Sequence, residues 1–401
     1  MRLRIRHLVA LLGLVAGMLV PGSASASSSV SLVAWQLDSP RGVAFVGQRA
    51  VVSESGHGSD NPADCFTTPF GTSCVGNTSK ITWINVRNGH HTTLASGFFS
   101  FALDPVETLG VSGLSFRDGK LYAQISATSR EVPPSFAIGQ EAGDLIAVNP
   151  KTGKWTTVAQ VGDDDFDFTL KFPQPDPATC GQCPGTNEHD ANPTGVLATE
   201  EGIFVADSGA NTLTRVGEHG KTSVLAYFPF RDVNPNMFPN DEVPTCVAPR
   251  GDSLYVGTLS GHLYRVAENG SFTAVVPRDS GGNLLLSHVT GCTSDRQGNL
   301  YIVNMFGAGT FGDPTFPNGS VVKFNPSQGA GSVLVDAFHN PAVFLPYNPA
   351  IGPDGNLYVT TGAVCDLAGD NPFQGAPFNP CVVGDRKGGR LVRIELPKQH
   401  D

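Results

Sequence analysis

An eleven-residue phrase returns six times along this chain: GVAFVGQRAVV (42–52), GLSFRDGKLYA (113–123), GVLATEEGIFV (195–205), CVAPRGDSLYV (246–256), CTSDRQGNLYI (292–302) and PAIGPDGNLYV (349–359). Each copy reads as a short apolar strand, a polar turn and a second apolar strand, the pattern of a β-hairpin. A further strand pair follows the copies, as in SKITWINVRNGHHTTLASG (79–97), NTLTRVGEHGKTSVLAY (211–227) and GHLYRVAENGSFTAVVP (261–277). Four strands in each of six units predict an all-β chain, a six-bladed β-propeller with four-stranded antiparallel blades. The sixth unit ends in RLVRIELPKQHD (390–401), a third strand with no fourth, whereas SSVSLVAWQL (28–37) precedes the first copy without an upstream partner. The N-terminal strand is therefore expected to join the last blade and close the ring, which removes open sheet edges. No stretch shows sustained helical periodicity.

The chain opens MRLRIRHLVALLGLVAGMLVPGSASA, with Arg2, Arg4 and Arg6 before an apolar run and a small-residue site at Ala24-Ser25-Ala26. This reads as a secretory signal over residues 1–26, leaving residues 27–401 as one propeller domain. The apolar run is too short to span a bilayer, so the expected product is secreted and not inserted in a membrane. Loss of the three leader arginines takes the net charge from −10 to −13, which argues against nucleic acid as a partner. A monomer with a small-molecule or protein ligand is expected. The 47 glycines and 30 prolines, against 15% charged residues, suit short strands joined by many turns.

All eight cysteines lie after the leader, an even number in an oxidising setting. Cys65 and Cys74 flank one loop, Cys180 and Cys183 another, and Cys365 and Cys381 a third. Cys246 and Cys292 share the first position of the fourth and fifth copies, where neighbouring strands can bring them within bridging reach. Four disulfides are expected: Cys65–Cys74, Cys180–Cys183, Cys365–Cys381 and Cys246–Cys292.

In such blades the start of the innermost strand and the end of the second lie at the same mouth of the central channel. The excess length between copies falls at 55–78, 126–142, 162–192, 305–318 and 362–388, and loops this long are where function concentrates. Glu54, Ile125, Asp207, Thr258, Asn304 and Thr361 are equivalent positions just after each copy. Glu54, Asp207 and Asn304, on alternate blades, supply oxygens for a hard cation such as Ca²⁺ if they converge. His57, His189, Asn192, His288 and Asn348 fall in segments facing the same mouth, where a histidine could polarise water for hydrolysis; the catalytic residues are otherwise unknown.

Other motifs fit the fold better than a chemistry. CGQC (180–183) has redox spacing without a strand-to-helix context, and no second close cysteine pair completes a zinc site. Asp163, Asp165 and Asp167 resemble half a calcium loop, with Phe168 where glycine is needed and Gln174 where the closing glutamate belongs. DSGG (279–282) lies between blades, and NGS (269–271, 318–320) supplies hairpin turns, so neither a serine nucleophile nor glycans are expected.

Three stretches carry a resemblance. SPRGVAF and SESGHG with the Cys65–Cys74 loop, NPTGVLATEEGIFVADSGANTLTRV (192–216) and VPTCVAPRGDSLYVGTLSGHLYRV (243–266) resemble the secreted bacterial ScyD/ScyE family of NHL-like propellers. The resemblance spans roughly 29–397 and implies fold and export, not a reaction. A wider likeness to gluconolactonase-like and strictosidine-synthase-like propellers implies, for the first, metal-dependent hydrolysis with Glu, Asn and Asp on a central cation. Glu54, Asn304 and Asp207 supply those three residue types. The leading expectation is a binding or scaffold module; the alternative is a metal-dependent hydrolase or lactonase.

Overall fold

The structure, a computed structural model, describes residues 28–68, 71–104, 107–172, 189–228, 241–307, 319–363 and 388–397. The strands form six antiparallel sheets, each begun by one copy of the repeat. Blade two is typical: Val111–Arg117, Lys120–Ile125, Asp144–Val148 and Trp155–Gln160 follow one another from the axis outwards. The six innermost strands, Pro40–Val46, Val111–Arg117, Pro193–Thr199, Pro244–Arg250, Val289–Ser294 and Pro346–Ile351, touch one another in a closed circle. This is the six-bladed propeller.

Closure is made by Val30–Leu37, which pairs antiparallel with Gly389–Ile394 as the outermost strand of blade six. Ala34 and Leu37 are fully buried against Ala50, Val52 and Ile84 of blade one. The first blade is extended beyond four strands. Gly71–Ile84 and His91–Asp104 form a long hairpin, and Cys65–Thr68 and Glu107–Leu109 pair with its two strands. Cys65 and Cys74, opposite each other in that pairing, are bridged.

The core is not one mass but six apolar wedges, one at every seam between blades. Trp83 and Phe98 of blade one meet Leu121 and Ile146 of blade two, and Leu213 and Phe228 of blade three meet Val256 and Tyr264 of blade four. The other four seams are filled in the same way. Nearer the axis the seams close backbone to backbone. Two residues into the innermost strands stand Gly42, Gly113, Gly195, Cys246, Gly291 and Asn348. A Cβ on Gly42, Gly113, Gly195 or Gly291 would meet a carbonyl oxygen of the next blade at 2.4, 2.5, 2.6 and 2.3 Å, on Ser112, Thr194, Thr245 and Tyr347. Glycine is required there by proximity, not by torsion. Every innermost strand also breaks register within three residues of its start, a bulge-like feature of the kind that re-aims side chains.

That irregularity corrects one reading of the cysteines. Cys246 stands two residues into its strand and Cys292 three, beside Gly291, so the two are offset by one position. They are nonetheless bridged, with Cα atoms 5.6 Å apart, and link blades four and five. Cys180, Cys183, Cys365 and Cys381 lie outside the described residues. A second departure is the nine-residue helix Val161–Thr169 between blades two and three, where sequence periodicity showed none. Its polar face explains the miss: four of its nine residues are aspartates and the helix is held by side-chain contacts rather than by an apolar stripe.

A chain lacking residues 27–37 should lose at least ~3 kcal/mol of stability, because Leu37 and the wedge it fills become exposed. Urea unfolding is the measurement, and a transition matching that of the intact protein would refute closure by this strand. Gly195→Ala should cost ~1–3 kcal/mol, since neither backbone at that seam can retreat without opening its neighbour. An unchanged midpoint in the same assay would show that the seam yields.

Candidate functional site at the loop-rich mouth

The loops after each second strand and the crossings between blades meet at one end of the ring. There, three of the six crossings use a shared turn. Ser39, Val243 and Leu345, each just before the proline that opens an innermost strand, take positive φ of 49°, 49° and 46°. Each of their carbonyls accepts from an amide in the loop of its own blade: Ser55 to Ser39 at 3.0 Å, Leu259 to Val243 at 2.9 Å and Gly362 to Leu345 at 3.1 Å. Left-handed backbone is costly for such residues, Val243 above all, and persists where surrounding bonds enforce it.

A cavity of about 310 Å³ inside the six innermost strands is lined by Val43, Leu114, Val196, Val247, Cys292 and Pro349 from equivalent positions, with Ser115, Thr293, Ser294 and Asn348 among its polar neighbours.

The six equivalent positions after the copies are paired across to the first residues of the innermost strands, as aligned from sequence: Glu54 with Pro40, Ile125 with Val111, Asp207 with Pro193, Thr258 with Pro244, Asn304 with Val289 and Thr361 with Pro346. Their side chains, however, are spent within their own surroundings. Glu54 is buried, accepts from the Asp38 amide at 2.6 Å and from Thr82 Oγ1, and pairs with Lys80 Nζ at 3.2 Å. Asn304 donates to the Leu285 carbonyl at 2.9 Å and Ser320 Oγ at 3.0 Å, and accepts from the Ser287 amide at 3.2 Å. Asp207 Oδ1 accepts three backbone amides, from Asn192, Gly209 and Ala210, at 2.8, 3.0 and 2.9 Å. Glu54, Asn304 and Asp207 Oδ1 are thus each engaged by neighbouring protein groups. Among the described residues, no group of three or more His, Cys, Asp or Glu side chains is placed to hold a metal.

Asp207 belongs instead to a carboxyl pair. Asp165, on the helix Val161–Thr169, is buried and accepts from Thr214 Oγ1 at 2.7 Å and Thr212 Oγ1 at 3.0 Å. Asp207 Oδ2 is buried without a hydrogen-bond partner, close enough to Asp165 to feel its charge. Burial pushes Asp165 up to about 7, and burial plus the charge of Asp165 raises Asp207 well above the ordinary range. Around them lie Asp190, raised by burial, and Asp241, pushed by burial to about 6 despite the Asn211 amide. Asp144, with one buried oxygen unpartnered, is pushed by burial to about 7. Asp163 is held by Thr128 and Ser129, and Arg130 reaches Asp163 and Asp167 at 3.7 and 3.3 Å.

The histidines part company. His57 Nδ1 lies 2.8 Å from Asp38 Oδ2, and His262 Nδ1 2.8 Å from Glu242 Oε2. Asp38 and Glu242 are equivalent, each two residues before the opening proline of blades one and four, on opposite sides of the ring. His189 packs its ring edge-on against Phe166 at 6.3 Å, and His288 against Phe306 at 5.5 Å. Asn192 caps the amide of Ala127 at 3.2 Å, and the Asn348 amide bonds Thr360 Oγ1 at 3.1 Å. Sequence reasoning missed Asp38 and Glu242 and assigned no role to Asp165 or His262. The column two residues before each opening proline carried the signal for Asp38 and Glu242.

No protein family and no curated protein matches the chain. Solved structures do. A protein of unknown function from Bacteroides thetaiotaomicron aligns at 12% identity with TM-score 0.52, over 91% of this chain and 76% of its own. The calcium-binding protein regucalcin from Agrobacterium tumefaciens aligns at 13% identity, TM-score 0.48, over 92% and 95%. A PQQ-bound aldose sugar dehydrogenase from Streptomyces coelicolor aligns at 11% identity, TM-score 0.42, over 92% and 98%. At these identities the likeness is one of fold.

The carboxyl cluster sets a pH dependence. A group raised in the folded state stabilises it below the unfolded value near 3.8, and that contribution is lost as pH climbs through the folded value, about 7 for Asp165. Melting temperature should therefore fall between pH 5 and pH 8, and Asp165→Asn, which keeps the shape without the proton, should flatten the slope. An equal slope in the variant, measured by thermal melts across that range, would remove the pair from this role.

Proposed function

We propose that this chain is an exported binding module of the ScyD/ScyE type that takes a cationic ligand on its loop-rich mouth. The observation that carries the reading is the crowd of buried carboxyls around the helix Val161–Thr169: Asp144, Asp165, Asp190, Asp207 and Asp241 are all raised. Burial raises them because the fold gives their charges too little compensation. A cation placed among them supplies it, so binding is coupled to proton release. Export is supported by the leader at residues 1–26 and by the Cys65–Cys74 and Cys246–Cys292 bridges, which persist in oxidising compartments. Among the described residues no helix is long and apolar enough to cross a membrane. Metal-dependent hydrolysis draws no support from Glu54 and Asn304, whose side-chain oxygens are engaged by neighbouring protein groups.

The test is calorimetric titration with tetralysine at low salt. Binding should be tighter at pH 8 than at pH 5, release protons near pH 7, and weaken as sodium chloride shortens the reach of the field. Asp190→Asn and Asp241→Asn should each weaken it. Absence of heat at pH 8, or equal affinity in both variants, would overturn the reading.

A further inference from the structure

We propose that His57 and Asp38 form an acid–base pair that hydrolyses neutral or cationic carboxylic esters at the mouth, an activity separate from the cation binding above. Asp38 is buried, at 6% exposure, yet its Oδ1 has no hydrogen-bond partner. Its Oδ2 is 2.8 Å from His57 Nδ1. A carboxylate only accepts, so Nδ1 carries the hydrogen and the lone pair sits on Nε2. Here one oxygen orients an imidazole and the other is left over.

The ring is 25% exposed, and Nε2 lies 3.9 Å from Oδ2 of the exposed Asp60. That separation is too long for a direct bond, and a single water can stand within hydrogen-bond reach of both atoms. The backbone also holds the imidazole, since the His57 amide donates to Thr78 Oγ1 at 2.9 Å. Glycines at positive φ flank it, Gly56 at 77° and Gly58 at 68°, and a Cβ on Gly58 would lie 2.4 Å from the Cys74 carbonyl oxygen. The bridged strand of the Cys65–Cys74 hairpin thus backs the loop that carries the base. His262 with Glu242 is the counterpart across the ring, but there Ser260 Oγ also approaches the same Nδ1, at 3.3 Å, and the ring is 53% exposed.

In the reaction, Nε2 takes a proton from water as the water oxygen bonds to the acyl carbon. The acyl carbon–alkoxy bond then breaks, and the leaving oxygen recovers the proton from Nε2. Acid and alcohol are released and the imidazole returns to its starting state. Substrate charge follows from the neighbours: Asp38 and Asp60 lie beside the base, while Lys80 is engaged with Glu54. Anionic esters are repelled; neutral and cationic ones are not.

The probes are 4-nitrophenyl acetate and acetylthiocholine with the full chain. Wild type should exceed an equal concentration of free imidazole, and His57→Gln should fall about a hundredfold, the usual worth of a positioned base. His57→Gly should regain rate on addition of imidazole, which a structural loss would not permit. Asp38 is a positioning residue, so Asp38→Asn should lower kcat at least about tenfold with KM unchanged. His90→Gln, at an exposed hairpin turn, should behave as wild type. Wild-type rates no better than imidazole, or a His57→Gln variant within twofold of wild type, would overturn the proposal. Either result leaves the tetralysine titration intact.

Discussion

The ring depends on hydroxyl groups that reach across seams. Ser208 donates to the Pro244 carbonyl at 2.8 Å, Thr245 to Val289 at 2.7 Å, Thr290 to Tyr347 at 2.9 Å and Thr360 to Arg41 at 2.6 Å. Ser53 and Ser55 donate to Ser112 and Val111 in the same sense. Each bond satisfies a carbonyl on an innermost strand, whose partners within the sheet lie on one side only. Buried carbonyls left unmet would cost more than the bonds contribute, so the hydroxyls are requirements of the architecture rather than ornaments. They work because the glycines beside them let the blades approach, and the wedges farther out then pack at full density.

Most of this architecture was legible as repetition. The copies locate the inner hairpins, the surplus first strand announces closure, and the cysteine pairs mark Cys65–Cys74 and Cys246–Cys292. The site was less legible, for a physical reason. The columns containing Glu54, Asp207 and Asn304 were aligned correctly, but alignment does not say which way a side chain points once a strand breaks register near its start. Those positions look into their own blades, and Val43, Leu114 and Pro349 line the axis instead. The helix Val161–Thr169 was hidden because its aspartates satisfy hydroxyls of blade three, a long-range service that local periodicity does not record.

Arg41 shows how the two faces of this problem meet. It is 2% exposed, bonds the Thr108 carbonyl at 2.9 Å and Glu107 at 3.1 Å, and lies over the Tyr347 ring at 4.5 Å. One cation thus ties blade six to the approach of blade two at the rim. Elsewhere on the rim the buried carboxyls near the helix have hydrogen-bond donors but, among the described residues, no cation beside them, and burial raises them.

The closing strand imposes an order in time. Val30–Leu37 must wait for Gly389–Ile394, so nearly the whole chain is synthesised, and its hairpins can assemble, before the circle exists. Until then the first and last blades each lack a neighbour, and the wedge that Leu37 fills stands open to water. Closing so long a loop adds little equilibrium cost but makes the final contact among the slowest. The open arc, with its bare wedge and unpaired edge, is the species in which two chains can exchange strands, and dilution or a holding partner during that interval decides whether rings or tangles result.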